Sequence, residues 1–237
     1  MGALFNEILY RPLLNALVIL YQYLTFYDLG LAIILLTVLI RLILFPIFHK
    51  STKHQLLTQA LQPKIKEIQQ NHKDNREAQA KAILDLYSRN KLNPFTPFLL
   101  LLVQLPILIA LYQVFIGGFS DKALASLYSF VPAPETINYL FLNIIDLQNP
   151  NIILVFLAAL AQYFQARLAM KKVSSQKTLS GPAERMQKNM VYVGPIIALL
   201  ILWNFPAALG LYWLISTLFS VLQQVIVNKN LKVEEIK

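Results

Sequence analysis

Along this chain, long apolar runs alternate with polar stretches on a scale far longer than a β-strand. Runs over residues 29–48, 95–116, 152–170, 190–203 and 206–227 each predict a helix, set against the roughly 20 residues needed to cross hydrocarbon. The fourth run is short. Only Asn204-Phe205-Pro206 separates it from the fifth, which predicts a tight hairpin with Pro206 opening the next helix. The earlier run LLNALVILYQYL, residues 13–24, is too short to cross and carries Asn15, Tyr21, Gln22 and Tyr23, so it predicts a helix lying in the membrane interface. The alternative, that it extends the first span, is opposed by Asp28 and Gly30.

Between the first two runs the period changes. Leu57, Leu61, Ile65 and Ile68, then Ala78, Ala82, Leu86 and Tyr87, recur at helical spacing, which predicts an amphipathic helical hairpin over residues 50–91. Its turn is HKDN, Asp74 or Asn75 caps the second helix, and Pro63 bends the first. The expected fold is one all-α polytopic membrane domain over residues 1–237: five transmembrane helices, an N-terminal interfacial helix and a cytoplasmic hairpin.

Composition agrees: a chain of 237 residues that is 57% hydrophobic and 14% charged cannot make an ordinary water-soluble surface. Charge adds an orientation. Residues 49–94 carry nine Lys and Arg, residues 167–189 six and the tail after Val227 three, whereas residues 1–28 hold only Arg11 and residues 117–151 only Lys122. Lys and Arg are retained on the cytoplasmic side, so the rich segments are expected inside, with the N-terminus out and the C-terminus in. The net charge of +9 then reads as a topology signal and an attraction to anionic membrane lipids. A basic loop could also meet ribosomal RNA.

Arg41 interrupts the first span toward its cytoplasmic end. Snorkelling to the inner surface is one explanation. A second is a polar interior, because Thr37 lies one turn above it and other spans carry similar stripes. In the fifth, Trp213, Thr217, Ser220 and Gln224 share a face, with Tyr212, Ser216 and Gln223 beside them; the third has Ala158, Ala161, Gln162 and Gln165, and the second Gln104 and Tyr112. Lipid cannot satisfy such faces, so they belong inward or around water. Hydrogen bonding between helices explains any single stripe equally well. No Asp, Glu, Lys or His lies within the five apolar cores, so a span supplies Arg41 with no ionic partner. Water, glutamines or a visiting anion must compensate a cation that costs about 3 kcal/mol at such depth. A wet groove open to the cytoplasm is the simplest arrangement.

The same absence disfavours a proton-coupled transporter. No G-x-S-x-G, H-E-x-x-H or Walker motif is present, and His49, His54 and His72 lack ligand spacing, so no enzymatic activity, cofactor or metal is expected. With no cysteine there is no disulfide and no thioether lipid anchor.

The stretches LAIILLTVLIRLILFP, LQPKIKEIQQ, NPFTPFLLLLVQLPILIALYQVF and FPAALGLYWLISTLFSVLQQ, in this order, resemble the YidC family of membrane protein insertases, which has mitochondrial and chloroplast relatives. The resemblance implies a five-helix core around a hydrophilic groove, open to the cytoplasm and inner leaflet and closed outside. It implies that Arg41 is the groove arginine, Thr37 its neighbour, and Tyr212 and Trp213 aromatics facing the groove or the exit path. Gln162 or Gln165 would be the third-span contribution, without a choice between them. Gln104, Ser216 and Ser220 from the polar stripes complete the candidate groove set. The chain departs from the pattern where Phe95-Thr96-Pro97 enters the second span, and in a tail reduced to NKNLKVEEIK, which weakens tail-mediated ribosome binding. Neither the large extracytoplasmic domain of many Gram-negative members nor the lipoprotein cysteine of many Gram-positive ones is expected.

The expected activity is therefore insertion in the bacterial plasma membrane. The short polar flank of a nascent membrane protein enters the groove and its hydrophobic segment slides into lipid, without nucleotide. Expected partners are nascent membrane proteins, membrane lipids, the ribosome through the hairpin, and a Sec-type translocon. The competing classes are a small channel or anion carrier using Arg41, and a scaffold for other membrane subunits.

Overall fold

The computed structural model describes residues 2–93, 95–117, 119–171 and 182–230. Helix α1, Ala3–Tyr23, starts ten residues before the expected position and is 21 residues long. Pro12 lies inside it. A proline there lacks an amide donor and its ring presses on the carbonyl four residues back, at Ile8. That position falls in a π-helical segment, Asn6–Tyr10, whose wider turn takes up the conflict.

Helix α2, Leu29–Ile43, opens on Asp28, whose side chain accepts from the Leu31 amide at 2.9 Å. It does not continue to residue 48 as the apolar run implied. Leu44 has φ −87° and ψ 0°, and α3, Phe45–Ala60, leaves at 69° to α2 with Pro46 in its first turn. The missing Pro46 amide and the clash it would make with the Leu42 carbonyl set the position of the break. The same device separates α3 from α4, Gln62–Asn71, at Leu61, with Pro63 in the new first turn. The first arm of the hairpin is therefore two helices, not one bent helix from residue 50. Asn75 caps α5, Arg76–Arg89, by accepting from the Ala78 amide at 3.0 Å. Leu61, Ile65 and Leu92 form the small core of this hairpin, with Leu57, Ile83, Leu86 and Tyr87 packed on it.

Four further long helices follow: α6, Thr96–Gly117; α7, Ile152–Lys171; α8, Pro182–Leu202; and α9, Ala207–Asn230. Between α6 and α7 a small antiparallel ladder pairs β1, Leu140–Phe141, with β2, Ile145–Asp146. Leu142 and Asn143 both take positive φ, as a tight hairpin turn of the mirror-image type requires. This ladder was not expected.

The bundle is assembled around α9, which packs against α2, α7, α6 and the start of α3, while α8 lies on the far side of α7. The main core gathers Leu14, Leu17 and Tyr21 of α1, Ile33 and Leu36 of α2, Leu111 and Val114 of α6, and Leu154 and Ala158 of α7 against Ala207–Tyr212 of α9. Outside, the pattern is that of a membrane protein: Leu39, Ile43, Phe156, Leu160, Leu200 and Leu222 are exposed, while Thr37, Arg41, Ser216, Thr217, Gln223 and Gln224 are buried. By length and apolar composition, Ala3–Tyr23, Ile152–Ala169 and Ala207–Lys229 can each cross a membrane, as can the bent pair α2–α3 if it counts as one span. Leu102–Gly117 and Val191–Leu202 are shorter apolar helical stretches among the described residues.

Candidate functional site

The polar side chains inside the bundle fall into two groups, on opposite flanks of α9. Tyr212 and Trp213 are adjacent in sequence and so point about 100° apart on the helix. Tyr212 faces α6, where its hydroxyl accepts a hydrogen bond from Gln104 Nε2 at 2.6 Å. It also lies within electrostatic reach of Arg41. Three helices thereby bring Arg41, Tyr212 and Gln104 together. Thr37, one turn above Arg41, is fully buried and donates to the Ile33 carbonyl at 2.6 Å. Ser216, one turn below Tyr212, is buried with an Oγ that has no partner among the described residues, while its carbonyl accepts from Ser220 Oγ at 3.0 Å.

Arg41 is 9% exposed, and no ion pair among the described residues involves it. Two features missed by the sequence reading compensate its charge. The break at Leu44 places Arg41 in the last turn of α2, where the partial negative charge of the helix C-terminus favours a cation. The guanidinium carbon also sits 4.6 Å from the centroid of the Phe48 ring, a cation–π contact of about 0.5–2 kcal/mol. Neither could be seen without the bend, because on a straight helix to residue 48 both the helix end and Phe48 lie beyond reach.

Trp213 belongs to the second group. With its side-chain amide oriented to suit its neighbours, Gln162 accepts from Trp213 Nε1 at 2.7 Å and donates to the Gly194 carbonyl at 2.6 Å. One glutamine thus ties α7, α8 and α9 together, the arrangement anticipated for helix-to-helix bonding. Gln165, one turn on, is partly buried and is not part of this bridge. Gly194 is glycine for a packing reason, since a Cβ there would stand 3.1 Å from the Gln162 amide.

Toward the C-terminal end of α9, Gln223 donates to the Phe45 carbonyl at 3.2 Å, fastening α9 to the bend. Gln224 donates to Asn228 Oδ1 at 3.0 Å, and Asn228 in turn to the Leu168 carbonyl at 3.1 Å. At the other end a loop closes the bundle. Asp28 accepts from the Leu142 amide at 2.8 Å, Phe141 lies so close on Gly30 that a Cβ there would overlap its ring, and the first amides of α9, at Ala207 and Ala208, donate to the Asn149 and Leu147 carbonyls.

Apolar helices of this length with a buried polar interior define a multi-pass helical membrane protein. A family model described as "60Kd inner membrane protein" matches residues 19–235, and the chain belongs to that family, the YidC family of the resemblance drawn above. Three relatives are each named "Membrane protein insertase YidC". The chain is 32% identical to the one from Geobacter metallireducens, covering 96% of this chain and 38% of that protein. It is 32% identical to the one from Geotalea daltonii, covering 93% and 37%, and 32% identical to the one from Francisella tularensis subsp. novicida, covering 85% and 32%. The chain thus spans well under half the length of these relatives.

Proposed function

We propose that this chain is the core of a membrane protein insertase. In this reading five spans, with α1 lying against their outer ends, enclose a groove open to the cytoplasm and closed by the loop carrying β1 and β2. The observation that carries it is a buried arginine with no ionic partner among the described residues, drawn together with Tyr212 and Gln104 from separate apolar helices. The helix end and the Phe48 ring offset part of its charge, and an anion or water in the groove supplies the rest. The names of the relatives support the same activity.

The groove set in this proposal is Arg41, Thr37, Gln104, Tyr212 and Ser216, with Ser220 toward the cytoplasm. A polar flank of a nascent protein enters there, and a carboxylate about 4 Å from Arg41 gains up to about 4 kcal/mol at an effective dielectric near 20, before desolvation is subtracted. The apolar segment then transfers into hydrocarbon, which supplies the driving force. Gln162 and Trp213 hold the helices rather than the client. The proposed setting is the bacterial inner membrane with the N-terminus outside. The hairpin α3–α5 is the proposed point of contact with client or ribosome, and a Sec-type translocon a proposed partner.

The test is reconstitution of the chain alone with a single-span client whose flank carries Asp, Asn or Lys, comparing wild type with Arg41→Lys, Arg41→Ala and Arg41→Glu. Lysine should keep most of the activity, alanine should impair the Asp flank most, and glutamate should invert the preference. Equal losses for all three flanks would refute charge pairing as the role of Arg41. Absence of insertion by the wild type alone would refute autonomous insertion.

A further inference from the structure

Where the start of α3 crosses the start of α6, next along both helices to Phe48 and Gln104 of the Arg41 cluster, the surface encloses a cavity of about 520 Å³. Its lining is divided. Ile47, Leu102 and Val103 make an apolar wall, while Lys50, Ser51 and His54 of α3 face Asn93 and Thr96 across a polar edge. We propose that this cavity binds the headgroup of an anionic phospholipid, with an acyl chain leaving along the apolar wall.

Charge favours an anion. Among the described residues Lys50 and Lys53 of α3 make no ion pair, and no Asp or Glu occurs between residues 29 and 66 or in α6. Among the described residues the one ion pair, Arg11–Glu7, belongs to α1. Ser51 and His54 add polar side chains beside Lys50 on the same edge. A phosphodiester supplies the negative charge that this edge lacks.

The apolar wall decides what carries the phosphate. It does not end at the cavity: Ile43, Ile47 and Leu102 are exposed at 75%, 48% and 65%. A soluble phosphate would leave that wall in contact with water, whereas a lipid covers it and lies where a basic edge meets an apolar surface at the membrane boundary. The volume suits one headgroup and the start of its chains. An acidic client flank would satisfy Lys50 as well, but it would leave the continuous exit toward lipid unexplained. The inference does not depend on the insertase reading.

The test uses the full chain, purified in a non-ionic detergent and examined by native mass spectrometry with palmitoyl-oleoyl phosphatidylglycerol, the matching phosphatidylcholine, or glycerol phosphate. Phosphatidylglycerol should be retained about tenfold better than phosphatidylcholine, the size of one charge-assisted contact. Lys50→Gln should erase that difference, Val103→Trp should lower retention of both lipids by filling the cavity, and Lys64→Gln on the hairpin should change nothing. Lys50 is exposed, so its substitution leaves the fold intact, which a thermal unfolding scan checks. Equal retention of the two lipids, or phosphatidylglycerol retention unchanged in Lys50→Gln, would overturn the proposal. Glycerol phosphate binding as tightly as the lipid would overturn the role of the chain. An acidic-flanked client peptide that loses binding on Lys50→Gln while the lipid does not would assign the cavity to clients instead.

Discussion

Replacing Gln162 by leucine removes the amide that joins three helices while keeping most of its volume. Two hydrogen bonds are lost, to Trp213 Nε1 at 2.7 Å and to the Gly194 carbonyl at 2.6 Å. Hydrogen bonds between transmembrane helices average about 0.6 kcal/mol and reach about 1.7, because a chain unfolded in the membrane also finds partners. Two of them predict a loss of about 1–3 kcal/mol. Trp213→Phe removes only the first bond, so the pair should show a coupling of about 0.6–1.7 kcal/mol in a double-mutant cycle. The assay is reversible unfolding in mixed micelles, following helix content as denaturing detergent is added. If Gln162→Leu costs as much in the Trp213→Phe background as in the wild type, the bond between Gln162 and Trp213 carries no energy and the reasoning fails for that half of the bridge. On the proposed insertase reading, insertion should fall only as far as the folded fraction does, which separates this glutamine from the Arg41 cluster.

Gly30→Val should lift Phe141 from α2, costing about 1–3 kcal/mol and making a cysteine at Ile144 react faster with a soluble thiol reagent; an unchanged melting temperature would count against the tight Phe141–Gly30 contact. His54 should titrate below the ordinary histidine value of 6.5 in neutral, lipid-free detergent, because burial and the charges of Lys50 and Lys53 all disfavour its cationic form. Lys50→Gln and Lys53→Gln should each raise it, as read by NMR of the imidazole, and a value at or above 6.5 in the wild type would contradict the described surroundings. Single cysteines at Ser120 and Gln69 should be labelled by an impermeant reagent from opposite sides of the membrane; labelling of both from one side would remove the proposed orientation.

The sequence made the helices legible wherever an apolar run ended in a polar segment, because lipid and water sort residues without regard to tertiary detail. Prediction of α7 and of α9 needed nothing more, whereas of the two cap candidates, Asp74 and Asn75, only the structure selects Asn75. It failed where a proline acts through geometry: Pro46 sits in a run apolar on both sides, so hydropathy passes over the 69° bend. The helix expected over residues 13–24 missed in the opposite sense: it runs on through Pro12 to Ala3, and a π-helical segment takes up the proline. In the candidate site, the polar stripes marked Arg41, Gln104 and Tyr212, but a stripe does not say which neighbour it meets. Tyr212 and Trp213 looked equivalent and part company on α9. Asn228 and the Phe48 ring carried no signal, since an asparagine near a helix end and a phenylalanine in an apolar run are both unremarkable by composition.

The bonds that fasten α1 also set an order of assembly. Arg11 and Asn15 bond the Ser126 carbonyl, Asn15 accepts from the Tyr128 amide at 2.7 Å, Gln22 bonds Pro132, and Tyr21 accepts from the Asn138 amide at 2.8 Å. Each partner is made 110 to 117 residues after the group it satisfies. At about 5–20 residues per second, that interval lasts roughly 5–25 s of synthesis. Until that loop exists, the polar groups of Asn15 and Tyr21 need water or headgroups in its place, because hydrocarbon cannot satisfy them. Helix α1 can therefore become a fixed part of the bundle only after the segment over residues 126–138 has been made.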